Sequence, residues 1–422
     1  MKKLINKFYL VGIKGNGMSS LAICLSDLGY YVTGSDVRKY YNTEDILRER
    51  NIEIKEFNKN NIISDEYTYI ASSCYKDEHE EIKKIKNKGY TLYYYHQFLN
   101  YFFKGVKIGI SGTHGKTTVT KFIADNFAED ASFIIGDGTG KGVKNYKYFI
   151  FEACEYQNKF LSYDYDFLVI NNIELDHVDF FKNISDIYDS FIKASEKSKC
   201  LIINEDIDIE HNNKYTFGKK ETSFSRFKII NETEEGYILD IKVGDINEIV
   251  RFPFCGEHMI YNMLAALTVL YLNDKIININ DAIRNMSLPK KRMEVTYIKG
   301  NTVVTDYGHH PTEIKALLES LKQKFKDKKI FVFFQPHTYS RTIALKEEFK
   351  VCFDKADEVY IDKTFASERE EYSEQKEHEV EEIFIEYKKF NKDILYKYRE
   401  QKNNVLVFLG AGTIDEYKKI LY

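Results

Sequence analysis

An α/β chain of three successive units is predicted: a Rossmann-like unit over 1–103, a central unit with a mainly parallel sheet over 104–288, and a C-terminal Rossmann-like unit over 289–422. Three observations predict it. Short β-branched apolar runs alternate with helical apolar spacing along the chain. Glycine-rich turns stand between strand and helix at Gly12–Gly17 and again at Gly112–Gly115. A length of 422 residues is also more than one hydrophobic core can organise.

In the first unit, Phe8 to Ile13 reads as a strand, followed by Gly12-Ile13-Lys14-Gly15-Asn16-Gly17-Met18 and a helix through Leu21, Ala22, Leu25 and Leu28 that stops at Gly29. A second strand, Tyr30 to Thr33, closes on Gly34-Ser35-Asp36. The glycines read G-x-x-G-x-G, whereas the dinucleotide fingerprint is G-x-G-x-x-G. The physical task is the same in both: a diphosphate rests on a helix N-terminus and an acidic residue accepts from a sugar or base. An ordinary tight turn is the alternative. Strand, helix and strand then follow at 67–72, 78–87 and 91–95.

The central unit opens on Val106 to Ile110, then Ser111-Gly112-Thr113-His114-Gly115-Lys116-Thr117-Thr118, then helical spacing through Val119, Phe122, Ile123 and Phe127. Gly112 and Gly115 allow backbone N–H groups to turn toward phosphate oxygens. Lys116 supplies a charge for β- and γ-phosphates, and Thr117 a hydroxyl for Mg²⁺. Ile110 stands where the commonest phosphate loop has its first glycine. A plain glycine turn capped by Thr117 is the alternative. Further strands at 147–152 and 166–171 deliver Glu152, Asp176 and His177 near their carboxyl ends, where ligands collect in open α/β sheets, and a strand at 200–204 fits the sheet core. A carboxylate and an imidazole there suit a divalent cation, although a single histidine after a strand is often structural. Residues 215–254 read as β-rich turns without a chemical signal, and Gly256 opens an apolar helix carrying Asn262.

Pro289-Lys290-Lys291-Arg292 breaks the pattern as a hinge. In the third unit a strand at 302–305 ends in Asp306-Tyr307-Gly308-His309-His310-Pro311-Thr312-Glu313, and a helix follows over 314–325. The strand 329–334 ends in Gln335-Pro336-His337-Thr338-Tyr339-Ser340-Arg341. Strands at 358–361 and 405–409 complete the unit, the last ending in Gly410-Ala411-Gly412-Thr413. Strand ends that carry His, Tyr, Arg and Asp mark a binding face.

Composition narrows the function. Lys and Arg number 61 against 65 Asp and Glu, a net −4, so nothing points to nucleic acid. Six cysteines without a C-x-x-C pair fit reduced thiols in a cytoplasmic protein. The N-terminus reads as a strand rather than a signal h-region, and no apolar run reaches spanning length, so no membrane insertion is expected.

The blocks G-I-K-G-N-G-M-S-S-L-A, G-T-H-G-K-T-T, E-A-C-E-Y, N-N-I-E-L-D-H, D-Y-G-H-H-P-T-E-I and F-Q-P-H-T-Y-S-R-T, spread over essentially the whole chain, resemble the Mur ligase family of peptidoglycan synthesis. The first, fifth and sixth blocks favour its alanine-adding branch. The resemblance implies a first unit that binds the UDP part of UDP-N-acetylmuramate, a second that binds ATP with Mg²⁺, and a third that receives L-alanine. It implies that Gly15, Asn16, Gly17 and Met18 line the UDP diphosphate, with Asp36 near the uridine. Gly112, Thr113, His114, Gly115, Lys116, Thr117 and Thr118 would hold the ATP phosphates, with Asn262 on the adenine and Asp306 on the ribose side. Thr117, Glu152 and His177 would bind metal, and Lys116, Glu152, His177 and the hinge residue Arg292 would carry catalysis. His337, Tyr339 and Arg341 would face the amino acid and the intermediate.

The implied reaction is amide-bond formation through an acyl phosphate, in a cytoplasmic monomer or homodimer. A ligase of the same family that attaches a whole tripeptide, a P-loop nucleotide switch and an inactive binding scaffold are the competing readings. This chain departs from the family pattern at Asn16, Ser20, Met259, Thr338 and Thr413, where an apolar residue, glycine, asparagine, arginine and an acidic residue are usual.

Overall fold

A computed structural model describes residues 6–366 and 370–422. Three sheets carry the architecture. The first is wholly parallel, in the order Glu53–Glu56, Tyr31–Asp36, Lys7–Val11, Thr68–Ala71, Leu92–Tyr94. The second has ten strands, with Val106–Ser111 between Tyr165–Ile170 and Tyr148–Glu152, all three parallel. Its far end, Ser225–Thr233, Gly236–Val243 and Ile246–Phe252, is an antiparallel meander. The third sheet is parallel across Asn301–Asp306, Asn404–Leu409, Lys329–Phe334 and Glu358–Ile361, with Glu294–Ile298 antiparallel at its edge.

The predicted β-rich stretch 215–254 is thus the meander. Its departing turn at Pro253 and Phe254 reaches a large cavity, which local sequence does not announce. Helices Thr43–Glu49 and Tyr95–Phe102 and the strand Glu53–Glu56 go beyond the sequence reading. They are short, and tertiary packing decides such elements. The helix expected at 314–325 begins earlier, at Pro311. His-Pro-Thr-Glu is a start signal: His310 caps the helix, proline occupies its first turn, and Glu313 reaches back in a capping box.

The first two units share one core. Phe8, Leu10, Leu21 and Leu25 belong to the same contiguous buried cluster as Ile134, Phe151 and Leu168. The Phe103 ring stacks on Phe149 at 3.9 Å between centroids. Helix Asn16–Asp27 lies against the strand Gly140–Lys141 so closely that a Cβ on Gly140 would fall 2.1 Å from the Ser20 carbonyl oxygen. The third unit keeps its own core, in two clusters drawn from residues beyond Arg292. It meets the central unit through polar groups. The Gln323 carbonyl oxygen accepts from the Tyr237 hydroxyl and the Gly256 N–H, both at 2.9 Å, and its amide donates to the Thr233 and Gly236 carbonyls.

Candidate active site

Strand Val106–Ser111 stops where helix Lys116–Phe127 begins, and the turn between them is forced open by glycine. Gly112 has φ +129° and Gly115 φ +81°, and a Cβ on Gly115 would meet the Asn171 and Asn262 side chains at 2.3 and 2.4 Å. Ile110 is fully buried in the strand, so the turn begins later than in the commonest phosphate loop. Asn172 pins the loop, its carbonyl accepting from Thr113 N–H at 3.1 Å and its side chain from His114 N–H at 2.7 Å. Ser111 Oγ and Asn171 Oδ1 are buried there without a hydrogen-bond partner among the described residues, which suits a loop shaped for a polar ligand.

Lys116 Nζ donates to the Gly112 carbonyl at 2.5 Å and to both Glu155 oxygens at 3.1 Å. Burial works against the ammonium, but Glu155 outweighs it and the Lys116 pKa rises. Glu155 is itself fully buried and lies 3.5 Å from His177 Nε2. The expected trio of Thr117, Glu152 and His177 is therefore divided in this arrangement. Glu152 accepts from Gly136 N–H at 2.5 Å and hydrogen-bonds the Thr117 side chain, while His177 turns toward Glu155 and Asp176. Burial raises the Glu152 pKa despite the Gly136 N–H. His177 sits at φ +53°, a left-handed conformation unusual for this residue and common at functional sites. Glu155 was visible in E-A-C-E-Y; its spacing of three from Glu152 was the available signal, and its role depends on where Lys116 folds.

A cavity of about 570 Å³ opens beside this loop. Among the expected residues, His114, Gly115, Thr118, Asn262, Arg292 and Asp306 line it. Asn262 Oδ1 accepts from Asn171 Nδ2 at 2.7 Å, and its own amide reaches the Met259 sulfur at 3.8 Å, so the thioether stands in for the usual asparagine as a weak acceptor. Asp306 is held by the N–H groups of Met293 and Gly308, both at 2.7 Å. Arg292 Nη1 donates to Glu313 at 3.2 Å, between Lys291 and Met293, which both have positive φ.

Glu313 also approaches His114 Nδ1 at 3.6 Å, with Glu174 at 3.4 Å on the other ring nitrogen. Burial opposes the imidazolium, but the two carboxylates push His114 up to about 9. Glu313 is held well below the usual range against its burial, by Arg292 first and then His114. Burial drives His258 down to about 4 and His309 down to about 3. Glu174 and Glu313 carry no sequence signal beyond membership of two motif blocks, because their contacts with Thr312 and His114 cross from one unit to another.

In the first unit, Gly15 precedes the helix that Asn16, Gly17 and Met18 begin. A Cβ on Gly17 would lie 3.1 Å from the Tyr95 ring. Asp36 is buried, its carboxylate accepting from Lys14 N–H at 2.7 Å and Val37 N–H at 2.8 Å, so it shapes the glycine turn. Two departures from the family pattern join the units: Asn16 Nδ2 donates to the Gly136 carbonyl at 2.9 Å, and Ser20 Oγ to the Ile135 carbonyl at 2.7 Å.

On the third unit, Arg341 reaches across to Asp176 with Nε at 2.8 Å and Nη2 at 3.3 Å, and bonds His337 through Nη1 at 3.1 Å. Asp176 is kept well below its usual range, Arg341 overcoming the cost of burial. A smaller cavity of about 50 Å³ is lined by Asp176, His177, Thr338, Ser340, Arg341 and Glu370. Tyr339 differs from expectation. Its ring is fully buried in the third unit's core, because on helix Tyr339–Ala344 it faces the sheet while Arg341 faces the cavity. Thr338, at φ +65°, turns the chain into that helix. The Thr413 N–H donates to Gln335 Oε1 at 2.7 Å, a contact made by the backbone whatever the side chain.

Comparison with known proteins gives three family matches in chain order: the Mur ligase family catalytic domain over residues 7–106, the Mur ligase middle domain over 110–270, and the Mur ligase glutamate ligase domain over 291–412. A UDP-N-acetylmuramate–L-alanine ligase of Lacticaseibacillus casei is 35% identical over 426 residues, covering 98% of this chain and 97% of its own. Among solved structures, the UDP-N-acetylmuramate–alanine ligase of Thermotoga maritima aligns with a TM-score of 0.81 at 21% identity, covering 98% of each chain. A murein peptide ligase of Psychrobacter arcticus aligns at 0.71 and 20%, also over 98% of each. At that identity the two structures speak for the fold, and the L. casei relative with the three domain matches for descent. The chain belongs to the Mur ligase family.

Proposed function

We infer that the protein is an ATP-dependent ligase that joins L-alanine to UDP-N-acetylmuramate through an acyl phosphate, releasing ADP and phosphate. The observation that carries this is Lys116, in a glycine-opened phosphate loop whose His114 and Gly115 line the large cavity, and bonded to Glu155, which lies against His177 and so next to the Asp176 that Arg341 of the third unit reaches. In this reading residues 1–103 hold the UDP-sugar through Gly15, Asn16, Gly17 and Met18. Residues 104–288 hold ATP, with the base near Asn262. Residues 289–422 bring His337 and Arg341 to the amino acid.

A carboxylate is a poor electrophile and must be activated before an amine attacks it. The lactyl carboxylate attacks the γ-phosphate while Lys116 steadies the charge that develops. The amine of L-alanine then attacks the acyl carbon, and the tetrahedral intermediate expels phosphate. The Thr117 hydroxyl and the Glu152 carboxylate are adjacent hard oxygen donors of the kind that Mg²⁺ takes, while His177 pairs with Glu155 in this arrangement. Thr117 and Glu152 would hold Mg²⁺, which would supply charge neutralisation at the phosphates. Water would hydrolyse the acyl phosphate, so the third unit, hinged at Lys291 and Arg292, closes before chemistry.

The test is phosphate release by the purified protein with ATP and Mg²⁺. Release that requires both UDP-N-acetylmuramate and L-alanine is expected; release indifferent to both would contradict the ligase reading. A preference for tripeptide over alanine would move the chain to the family's tripeptide-attaching ligases.

A further inference from the structure

Two side-chain amides meet beside the phosphate loop and line the large cavity: Asn171, just after strand Tyr165–Ile170, and Asn262, on helix Glu257–Leu272. Both residues are buried. Asn171 Nδ2 donates to Asn262 Oδ1 at 2.7 Å and to the His114 carbonyl at 3.0 Å, so both of its N–H groups are used. That fixes the Asn171 amide, because turned over it would set its oxygen against the Asn262 oxygen and the His114 carbonyl together. Gly115 leaves the pair no slack: a Cβ there would stand 2.3 Å from Asn171 Nδ2 and 2.4 Å from Asn262 Oδ1.

One acceptor and one donor remain at this pair. Asn171 Oδ1 is buried without a hydrogen-bond partner among the described residues, although a buried amide oxygen ordinarily finds one. Asn262 Nδ2 has only the Met259 sulfur, a weak acceptor at 3.8 Å. The Asn262 oxygen is already taken by Asn171, and the thioether at 259 supplies no amide in its place.

We propose that Asn171 selects the nucleotide base, its Oδ1 accepting from the exocyclic 6-amine of adenine while Asn262 Nδ2 donates to a neighbouring ring nitrogen. The proposal rests on the reading that ATP occupies the large cavity, and it names the residue that tells ATP from nucleotides with a 6-oxo base.

The chemistry of the base edges supports the choice. Adenine presents an N–H donor at position 6 beside the N7 acceptor, whereas a 6-oxo purine such as guanine presents two acceptors there. Opposite the fixed Asn171 oxygen, a 6-oxo group would set acceptor against acceptor and leave a buried amide oxygen unpaired. Phe254, Leu288, Val295 and Leu317 line the same cavity and offer apolar surface to a flat ring.

The experiment is calorimetric titration of ATP, inosine triphosphate and purine riboside triphosphate, each with Mg²⁺, into the full chain. Purine riboside triphosphate lacks the 6-amine, and inosine triphosphate carries an oxygen in its place. The wild type should bind ATP about 10–100-fold more tightly than either, and in Asn171→Ala, with folding checked by circular dichroism, that advantage should vanish. A loss in Asn171→Ala shared equally by all three nucleotides would show that Asn171 merely props the loop, and would overturn the proposal. Equal binding of the three by the wild type would overturn it too, and needs no variant to fold. Absence of binding by all three would remove the ATP reading along with the proposal, whereas equal binding removes the proposal alone.

Discussion

The two seams of this molecule are built from opposite materials. Between the first and central units, helix Asn16–Asp27 presses backbone to backbone on Gly140 and Gly142, over a core that runs continuously from Phe8 to Leu168. Between the central and third units the contacts are ionic and imidazole-rich: Arg341 with Asp176, and His114 between Glu174 and Glu313. Close-packed apolar contact resists sliding, because any displacement opens voids or clashes. Charge pairs are remade in other geometries and depend on solvent and proton activity. The difference teaches that the first two units behave as one body and that the third is the part able to move. An enzyme that must exclude water and then release its product needs one seam of each kind.

The comparison is broken most forcefully at the buried ion pair. Asp176→Ala would leave the Arg341 guanidinium unpaired, a loss of about 3–5 kcal/mol in a buried setting. It should appear as a wider spacing between the central and third units, read by energy transfer between labels, with the thermal transition of the first two units retained. Loss of the whole fold would mean that the polar seam is structural.

Overpacking the other seam should do the reverse. Gly140→Val places a side chain where a Cβ alone would lie 2.1 Å from the Ser20 carbonyl. About 1–3 kcal/mol of stability should be lost in denaturant titration, with the label spacing across the polar seam unchanged.

Acidity sharpens the contrast. Asp176 and Glu313 have folded pKa values below their ordinary ones, so their contribution is complete above about pH 4.5 and is lost as pH falls through the lowered values. His114 is shifted the other way. Its contribution is complete below about pH 6.5 and is lost as pH rises through about 9. In chelator-treated protein the closed population should therefore peak between these limits, as read by the same labels, while the glycine-lined seam stays closed throughout. A monotonic profile would contradict the ionic account.

The smallest expected effect is at Ser20. Ser20→Ala removes the hydroxyl that bonds the Ile135 carbonyl and should cost about 1 kcal/mol in denaturant titration, without altering the pH profile.

These seams also show what the sequence makes legible. Phosphate loop, strand ends and Rossmann turns are local events, and glycine spacing, β-branched runs and Gly-Lys-Thr report them directly. Glu155 stands in a motif that was read, yet its partnership with Lys116 and His177 exists only after three strands pair in parallel. Glu174 and Glu313 lie 139 positions apart (313 − 174) and meet through one histidine. Tyr339 and Arg341 are neighbours in one motif, and helical geometry sends one into the core and the other across the seam. Asn16 and Ser20 look like losses against the family pattern until Gly136 and Ile135 supply their partners.

The central claim is that the Lys116 loop drives transfer of phosphate to the sugar carboxylate. It is tested most directly with UDP-N-acetylmuramate carrying ¹⁸O in its lactyl carboxylate. With ATP, Mg²⁺ and L-alanine, the account predicts one labelled oxygen in the released phosphate, and loss of labelled phosphate in a folded Lys116→Ala variant. Unlabelled phosphate released in step with the amide product would contradict it.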